Sequence, residues 1–90
     1  MTHESGHIIH IDSFGNIITD VREDDLIRPA DNITFEVGNR IISGLSLTYA
    51  EREGLVALIG SSSYLEIALR GGSASTLLKA EVGDEVRLRR

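Results

Sequence analysis

Short runs of β-branched residues that alternate with polar residues recur along the chain. Ile33, Phe35 and Val37 share one face of a strictly alternating run, which is the period of a half-buried strand. Gly38 and Asn39 follow it directly, and a two-residue connection with Gly first is typical of a type II′ hairpin. Six or seven short strands are predicted from such runs and from the fully apolar run at residues 55–59. The candidates are residues 7–12, 16–21, 33–37, 40–42, 55–59, 64–69 and 85–89.

Two stretches have helical character. Residues 23–27 form a short acidic turn, which Pro29 ends because proline cannot continue a helix. Residues 73–80 allow about two turns, with Ser73 as the N-cap. Short strands at this spacing with so few helices predict an all-β domain, either a small barrel or a sandwich.

Composition excludes several classes of function. Nine basic and fourteen acidic residues give a net charge of −5, which argues against a module that must neutralise a phosphate backbone. The absence of cysteine excludes disulfides, thiolate zinc sites and a thiol nucleophile. The three histidines lie within the first ten residues without an acidic partner at metal spacing, so we expect no metal site. With no apolar run long enough to span a bilayer and no signal-peptide pattern at the N-terminus, we expect a cytoplasmic domain.

The loop at residues 12–16 concentrates chemically useful side chains on a sharp turn. The Asn16 carboxamide offers a donor and an acceptor to a purine edge, Phe14 offers a stacking face, and Asp12 can bind ribose hydroxyls or an ammonium group. The alternative is a plain turn, in which Asp12 or Asn16 bonds the local backbone and Phe14 fills the core. The residues alone favour the plain turn.

A second polar loop lies at residues 60–63, between two apolar strands. Its three hydroxyls and backbone amides could cradle a carboxylate or phosphate, although the residues alone favour a hydrophilic hairpin. Gly71 and Gly72 could let the backbone approach a ligand, or could form a turn. Glu66 interrupts an apolar strand, and its face is either the solvent side or the wall of a cleft.

Two long stretches resemble a known family. Residues 11–20 (IDSFGNIITD) are similar to the I-D-x-F-G-N-x-x-T-N stretch that opens the C-terminal domain of the S-adenosyl-L-methionine (SAM) hydrolases. These enzymes are also called SAM hydroxide adenosyltransferases and are related to fluorinase and chlorinase. Residues 56–68 (VALIGSSSYLEIA) resemble the second signature, A-L-I-G-S-S-G-Y-L-E-I-A-V-N-x-G-S-A. Residues 49–54 match the lead-in and residues 82–86 the usual ending, so the resemblance extends from about Gly6 to Arg89.

The resemblance implies a small β-barrel of about six or seven strands, with one or two short helices, over residues 1–90. In the family this domain follows a larger α/β domain, and the ligand lies between the two, often across a subunit boundary. Water attacks the ribose C5′ of SAM to give adenosine and L-methionine. The residues that activate the water belong to the α/β domain, so we expect this chain alone to be inactive. SAM is the substrate, and no cofactor is expected.

The family's binding residues carry over to eight positions. Asp12 matches a contact to the amino-acid end of the ligand, while Phe14 and Asn16 match contacts to the adenosine. Ser61 and Ser62 match a polar pair near the methionine carboxylate and the base edge. The remaining matches are Glu66 with the family's Glu, Leu69 with a position whose backbone reads adenine, and Tyr49 with an adenine-side aromatic residue.

Four positions depart from the family pattern. Ser63 replaces a Gly, Asp20 replaces an Asn, and Gly71 stands where a polar residue is common. Arg70 replaces the Asn that follows the second signature, where it would either occlude the adenine edge or supply a different set of hydrogen bonds.

Two functions follow from this reading. The first is the nucleoside-binding C-terminal half of a SAM hydrolase, with the α/β half absent from this chain. The second is a stand-alone, non-catalytic binding or oligomerisation module that kept the barrel. In both cases we expect an exposed apolar surface toward the missing domain, and self-association as a dimer or trimer.

Overall fold

Seven antiparallel strands make up most of the computed structural model, which describes residues 4–26, 33–38, 40–43 and 54–89. A 3₁₀ turn at Glu23–Leu26 follows the second strand, and one α-helix, α1 (Ala74–Leu78), precedes the last. The strands are β1 (Glu4–Ile11), β2 (Ile17–Arg22), β3 (Thr34–Val37), β4 (Arg40–Ser43), β5 (Leu55–Ile59), β6 (Tyr64–Leu69) and β7 (Glu85–Arg89).

The strands form one continuous sheet in the order β4-β3-β7-β1-β2-β6-β5. The two outermost strands, β4 and β5, approach each other, so the sheet curls into a nearly closed barrel. The predicted all-β barrel is therefore confirmed, and the sandwich alternative is wrong. In the described part of the chain, no helix has the length and apolar character that a membrane span requires.

Alternating apolar positions fill the barrel interior. Phe35 and Val37 on β3 face inward with Val86 and Leu88 on β7, each no more than 2% exposed. On β6 the inward residues are Leu65 and Ile67, so Tyr64, Glu66 and Ala68 lie on the opposite face, as the period of two predicts. Further core residues are Ile8, Ile17, Val21, Ile33, Ile42, Ala57, Ala74 and Leu78.

The strand β1 begins three residues earlier than the apolar pattern predicts. Its first half, Glu4–His7, pairs with β7, whereas Ile8–Ile11 pairs with β2 across a bulge. Gly6 belongs to the strand because it leaves room for a neighbour: a Cβ there would lie 2.5 Å from Asp20 Oδ1. That carboxylate accepts a 2.7 Å hydrogen bond from the His7 amide. Pairing with β7 and the contact to Asp20, rather than apolar residues in β1 itself, therefore extend this strand.

The predicted caps and turns are largely confirmed. Ser73 caps α1 by accepting a 3.2 Å hydrogen bond from the Thr76 amide. The helix ends earlier than residue 80 because Lys79 adopts a left-handed conformation at φ +53°. Val37 pairs with Arg40, and Gly38 has φ +60°, as a two-residue hairpin requires. Asn39 and Pro29 lie outside the described residues, so the type II′ assignment and the stop at Pro29 stay predictions.

Candidate functional site

A groove of about 470 Å³ lies on the side of β6 that faces away from the core. Glu66 and Ala68 line it from β6, where they alternate with the core residues Leu65 and Ile67. We call it the Phe14 groove, after its aromatic lining residue. The described residues that line it are Phe14, Asn16, Leu58, Glu66, Ala68, Leu69, Gly71 and Gly72.

Strand register places Glu66 in the middle of this surface. Glu66 pairs with Ile18 on β2 and with Leu58 on β5, so apolar side chains flank it on both sides. The carboxylate also packs against Gly60, because a Cβ at that position would overlap it. Glu66 is therefore half-buried in the wall of a cleft, one of the two alternatives that its sequence position left open.

The loop between β1 and β2 is held by the Asp12 carboxylate. Asp12 Oδ1 accepts 2.9 Å hydrogen bonds from the amides of Phe14 and Asn16. Asp12 Oδ2 accepts a 3.1 Å hydrogen bond from the Asn16 carboxamide nitrogen. This uses one N–H of the carboxamide, so the second N–H and the carbonyl oxygen are the groups that Asn16 can offer to a ligand.

The same loop docks on the start of α1 through Gly15. Its backbone has φ +84°, a conformation that glycine adopts readily. The Gly15 carbonyl accepts a 2.9 Å hydrogen bond from the Ser75 amide. A Cβ on Gly15 would fall 2.6 Å from Ser73 Cβ, so only glycine fits. The helix therefore fixes the position of the loop that carries Phe14 and Asn16.

Phe14 is 77% exposed. The alternative in which Phe14 fills the core is therefore wrong, although its other half, local bonding by Asp12, is confirmed. The locally bonded turn and the candidate ligand contact are compatible: the carboxylate shapes the turn, and the turn presents the ring to solvent beside the groove. An exposed aromatic face next to a carboxamide that keeps one N–H and its oxygen for a ligand suits a flat, hydrogen-bonding molecule.

The two carboxylates at the groove have opposite pKa shifts. Burial alone would raise the pKa of Asp12, but the hydrogen bonds from Asn16 and Phe14 outweigh it and lower that pKa below its usual range. Burial raises the pKa of Glu66, and the negative charge of Asp12 adds to the increase. Asp12 is thus a fixed anion of the loop, and Glu66 is the carboxylate whose charge is less well compensated.

The sequence profile of one family, the SAM hydroxide adenosyltransferase C-terminal domain, matches residues 6–87. The chain belongs to this family.

Related proteins are much longer than this chain. An (R)-S-adenosyl-L-methionine hydrolase from Methanocaldococcus jannaschii is 30% identical over 91 residues, which cover 90% of this chain and 34% of that protein. An uncharacterized conserved protein from Thermotoga maritima has a crystal structure similar at TM-score 0.81 and 26% identity, covering 98% of this chain and 36% of its own. A conserved hypothetical protein from Thermus thermophilus gives TM-score 0.74 and 34% identity, covering 94% and 34%. The chain spans about a third of the length of each.

The second signature loop of the SAM hydroxide adenosyltransferase domain lies beside the groove rather than in it. Ser61 and Ser62 are exposed in the turn between β5 and β6 and do not line the Phe14 groove. The amides of Gly60 and Ser63 bond within the turn, to the carbonyls of Tyr64 and Gly60, so they are not available to cradle an anion. The turn contacts a groove residue where Gly60 packs against Glu66.

The four departures from the family pattern have different structural consequences, and one of them, Gly71, lines the Phe14 groove. Ser63 has φ +68°, which explains why the family uses Gly there. Arg70 is exposed and is not among the lining residues, although its neighbours Leu69 and Gly71 are. Occlusion of the groove by Arg70 is therefore not observed. The Asp20 carboxylate on β2 accepts a hydrogen bond from the His7 amide on β1, as described above.

Four of the eight predicted site residues thus line one groove: Phe14, Asn16, Glu66 and Leu69. Tyr49 lies outside the described residues. Sequence reasoning missed Leu58 and Ala68. Ala68 shares the Glu66 face by simple alternation and could have been found, whereas Leu58 reaches the groove only through the β5–β6 register. Within the described ranges, no group of three or more His, Asp or Glu side chains is placed to hold a metal ion.

Proposed function

We propose that this chain is the nucleoside-binding domain of an enzyme that hydrolyses SAM to adenosine and L-methionine, and that the Phe14 groove holds the nucleoside. The observation that carries the proposal is the exposed Phe14 ring beside the Asn16 carboxamide. A purine base needs an aromatic or apolar face to stack on and a donor–acceptor pair for its edge. Family membership and the named activity of the Methanocaldococcus relative support the same assignment.

Each part of the groove has a task in this proposal. The base stacks on Phe14, its edge meets Asn16 and the backbone of Leu69, and Gly71 and Gly72 allow close approach because they carry no side chain. Asp12 contributes negative charge for the amino group of the ligand. Ser61 and Ser62 contact the ligand's carboxylate from the neighbouring turn.

The chemical step needs a partner domain, in the same polypeptide or as a separate chain. Water attacks the ribose C5′, the C5′–S bond breaks, and its electron pair stays on sulfur, so that methionine leaves as a neutral thioether. The base that takes the proton from water belongs to the α/β domain, and no residue of this chain takes that role. The chain's contribution is to bind and orient the nucleoside.

Self-association and a cytoplasmic location belong to the same proposal. Exposed apolar side chains outside the groove, such as Ile41 and Val82 at 68% and 62% exposure, favour association with another surface. We expect a dimer or trimer by light scattering. A monomer across the accessible concentration range would contradict the self-association.

A ¹⁵N NMR titration with adenosine tests the binding proposal. We expect millimolar binding by this domain alone, because in this proposal the partner domain supplies half of the pocket wall, and we expect selective shifts at Asn16, Leu69, Gly71 and Gly72. Phe14→Ala should weaken binding at least about fivefold through loss of stacking, whereas Val82→Ala, which removes an exposed apolar side chain elsewhere, should not. Shifts spread over the barrel, equal losses in both variants, or no shift at millimolar adenosine would contradict the proposal.

A further inference from the structure

Glu66 is a carboxylate with poor compensation for its charge. Its neighbours across the sheet are the apolar Ile18 and Leu58, and its carboxylate lies against the Cα of Gly60. Among the described residues, the charge that acts on it is that of Asp12, which is also negative. Partial burial and repulsion both disfavour the ionised form, which raises the pKa of Glu66.

The two carboxylates are not equivalent toward a ligand. Asp12 already accepts three hydrogen bonds from its own loop, so its charge is spread over fixed donors. Glu66 lines the groove directly, and Asp12 does not. A positive charge entering the groove would therefore gain most from Glu66, and it would relieve the repulsion between the two carboxylates at the same time.

We propose that Glu66 makes the Phe14 groove selective for ligands that carry a positive charge next to the nucleoside, such as a sulfonium, over their neutral thioether analogues. The inference rests on the proposed function, because it assumes that the nucleoside occupies this groove. Glu66 acts here as a specificity-determining residue. It takes no part in the proton transfer.

This role has a consequence for turnover. When the C5′–S bond breaks, the sulfonium becomes a neutral thioether and the attraction to Glu66 ends. The sulfonium substrate is thus held more tightly than the products, which carry no charge at sulfur, and product release is favoured without a conformational change. The attraction also weakens as the bond breaks, so Glu66 improves substrate selection rather than the chemical step.

Two ligands that differ mainly in the charge at sulfur test the contribution of that charge to binding. SAM and S-adenosyl-L-homocysteine share the nucleoside and the amino-acid end and differ at sulfur, which is a methylated sulfonium in the first and a neutral thioether in the second. Dissociation constants for both, with adenosine as the reference, are measured by ¹⁵N NMR on this chain. We expect a preference for SAM on the order of fivefold, as for an ion pair between partly exposed groups.

Three variants complete the test. Glu66→Gln should bring the preference close to one without weakening S-adenosyl-L-homocysteine, and Glu66→Asp should keep part of it. Glu85→Gln removes an exposed carboxylate on β7 that does not line the groove, so it should leave the preference unchanged. An unperturbed ¹⁵N spectrum of each variant shows that the fold is intact.

The outcomes separate the two proposals. Equal binding of both ligands by the original chain, or the same preference in Glu66→Gln, overturns the role of Glu66 and leaves nucleoside binding intact. If neither these ligands nor adenosine shifts the groove residues, both proposals fail together.

Discussion

The two signature loops of this domain are built in opposite ways. The loop at residues 12–16 is held by side chains: Asp12 accepts three hydrogen bonds, and Gly15 fits against Ser73 at φ +84°. The loop at residues 60–63 is a turn held by backbone hydrogen bonds, with its serines exposed and Ser63 at φ +68°.

The first loop holds its side chains in place beside the groove, whereas the second loop presents exposed hydroxyls next to it. Because the first loop is held by the Asp12 hydrogen bonds and by the contact of Gly15 with α1, it can hold an exposed aromatic ring at a defined place beside the groove. The second loop contacts the groove where Gly60 meets Glu66, and its Ser61 and Ser62 are exposed to solvent. A loop held by side-chain contacts suits recognition of a flat base, and exposed hydroxyls suit the polar amino-acid end of a ligand.

Replacing Gly15 should break the first loop most severely. Gly15→Ala forces a side chain into the left-handed region and against Ser73, and we expect a loss of about 2–5 kcal/mol in the free energy of unfolding. Urea denaturation measures it. Gly83 also has a positive φ, but no described atom lies within 4 Å of its Cβ position. Gly83→Ala should therefore lose only the free energy that a left-handed backbone conformation costs an alanine. Equal losses in the two variants would mean that the Ser73 contact contributes nothing.

Removing the Asp12 carboxylate should have an intermediate effect that depends on pH. Asp12→Ala leaves three donors without their acceptor, and we expect a loss of about 1–3 kcal/mol at neutral pH. The folded-state pKa of Asp12 is lowered, so its stabilisation is present above the unfolded value of about 3.9 and is lost as pH falls through the folded pKa.

Denaturation of the original chain and Asp12→Ala between pH 7 and pH 2 checks this. The two unfolding free energies should converge at the acid end. Asp84→Ala is the control, since Asp84 accepts one side-chain hydrogen bond, from the Glu81 amide, and should cost less. A constant difference at every pH would contradict the charge-assisted account.

The smallest effect is expected in the second loop, and it has the opposite sign. Ser63→Gly relieves a left-handed serine at the expense of a more flexible unfolded chain, and we expect a net gain of about 0.5–1 kcal/mol. Ser62→Gly is the matched control, because Ser62 does not have a positive φ and should lose stability slightly. Thermal melting of the two variants gives the sign directly, and a loss in Ser63→Gly would show that the turn is not strained there.

Alternation was enough to predict the strands and which face of β6 is buried, because a period of two maps directly onto a pleated sheet. It could not predict that Phe14 is exposed, since a lone aromatic residue between two apolar strands is more often part of the core. It also could not join Leu58 to Glu66, because that pairing depends on the register of β5 and β6. The close approach of Gly60 to the Glu66 carboxylate is likewise a property of the folded turn.

The pairing of β1 with β7 determines when the barrel can close. Gly6 pairs with Val86 and Glu4 with Leu88, so within this domain the first strand cannot complete its pairing until the last strand has been made. Such long-range pairing slows folding, because the loop-closure entropy must be overcome before these contacts form. It also places Glu4 and Leu88 side by side. A short linker from β7 to β1 could therefore close the backbone of this domain into a ring.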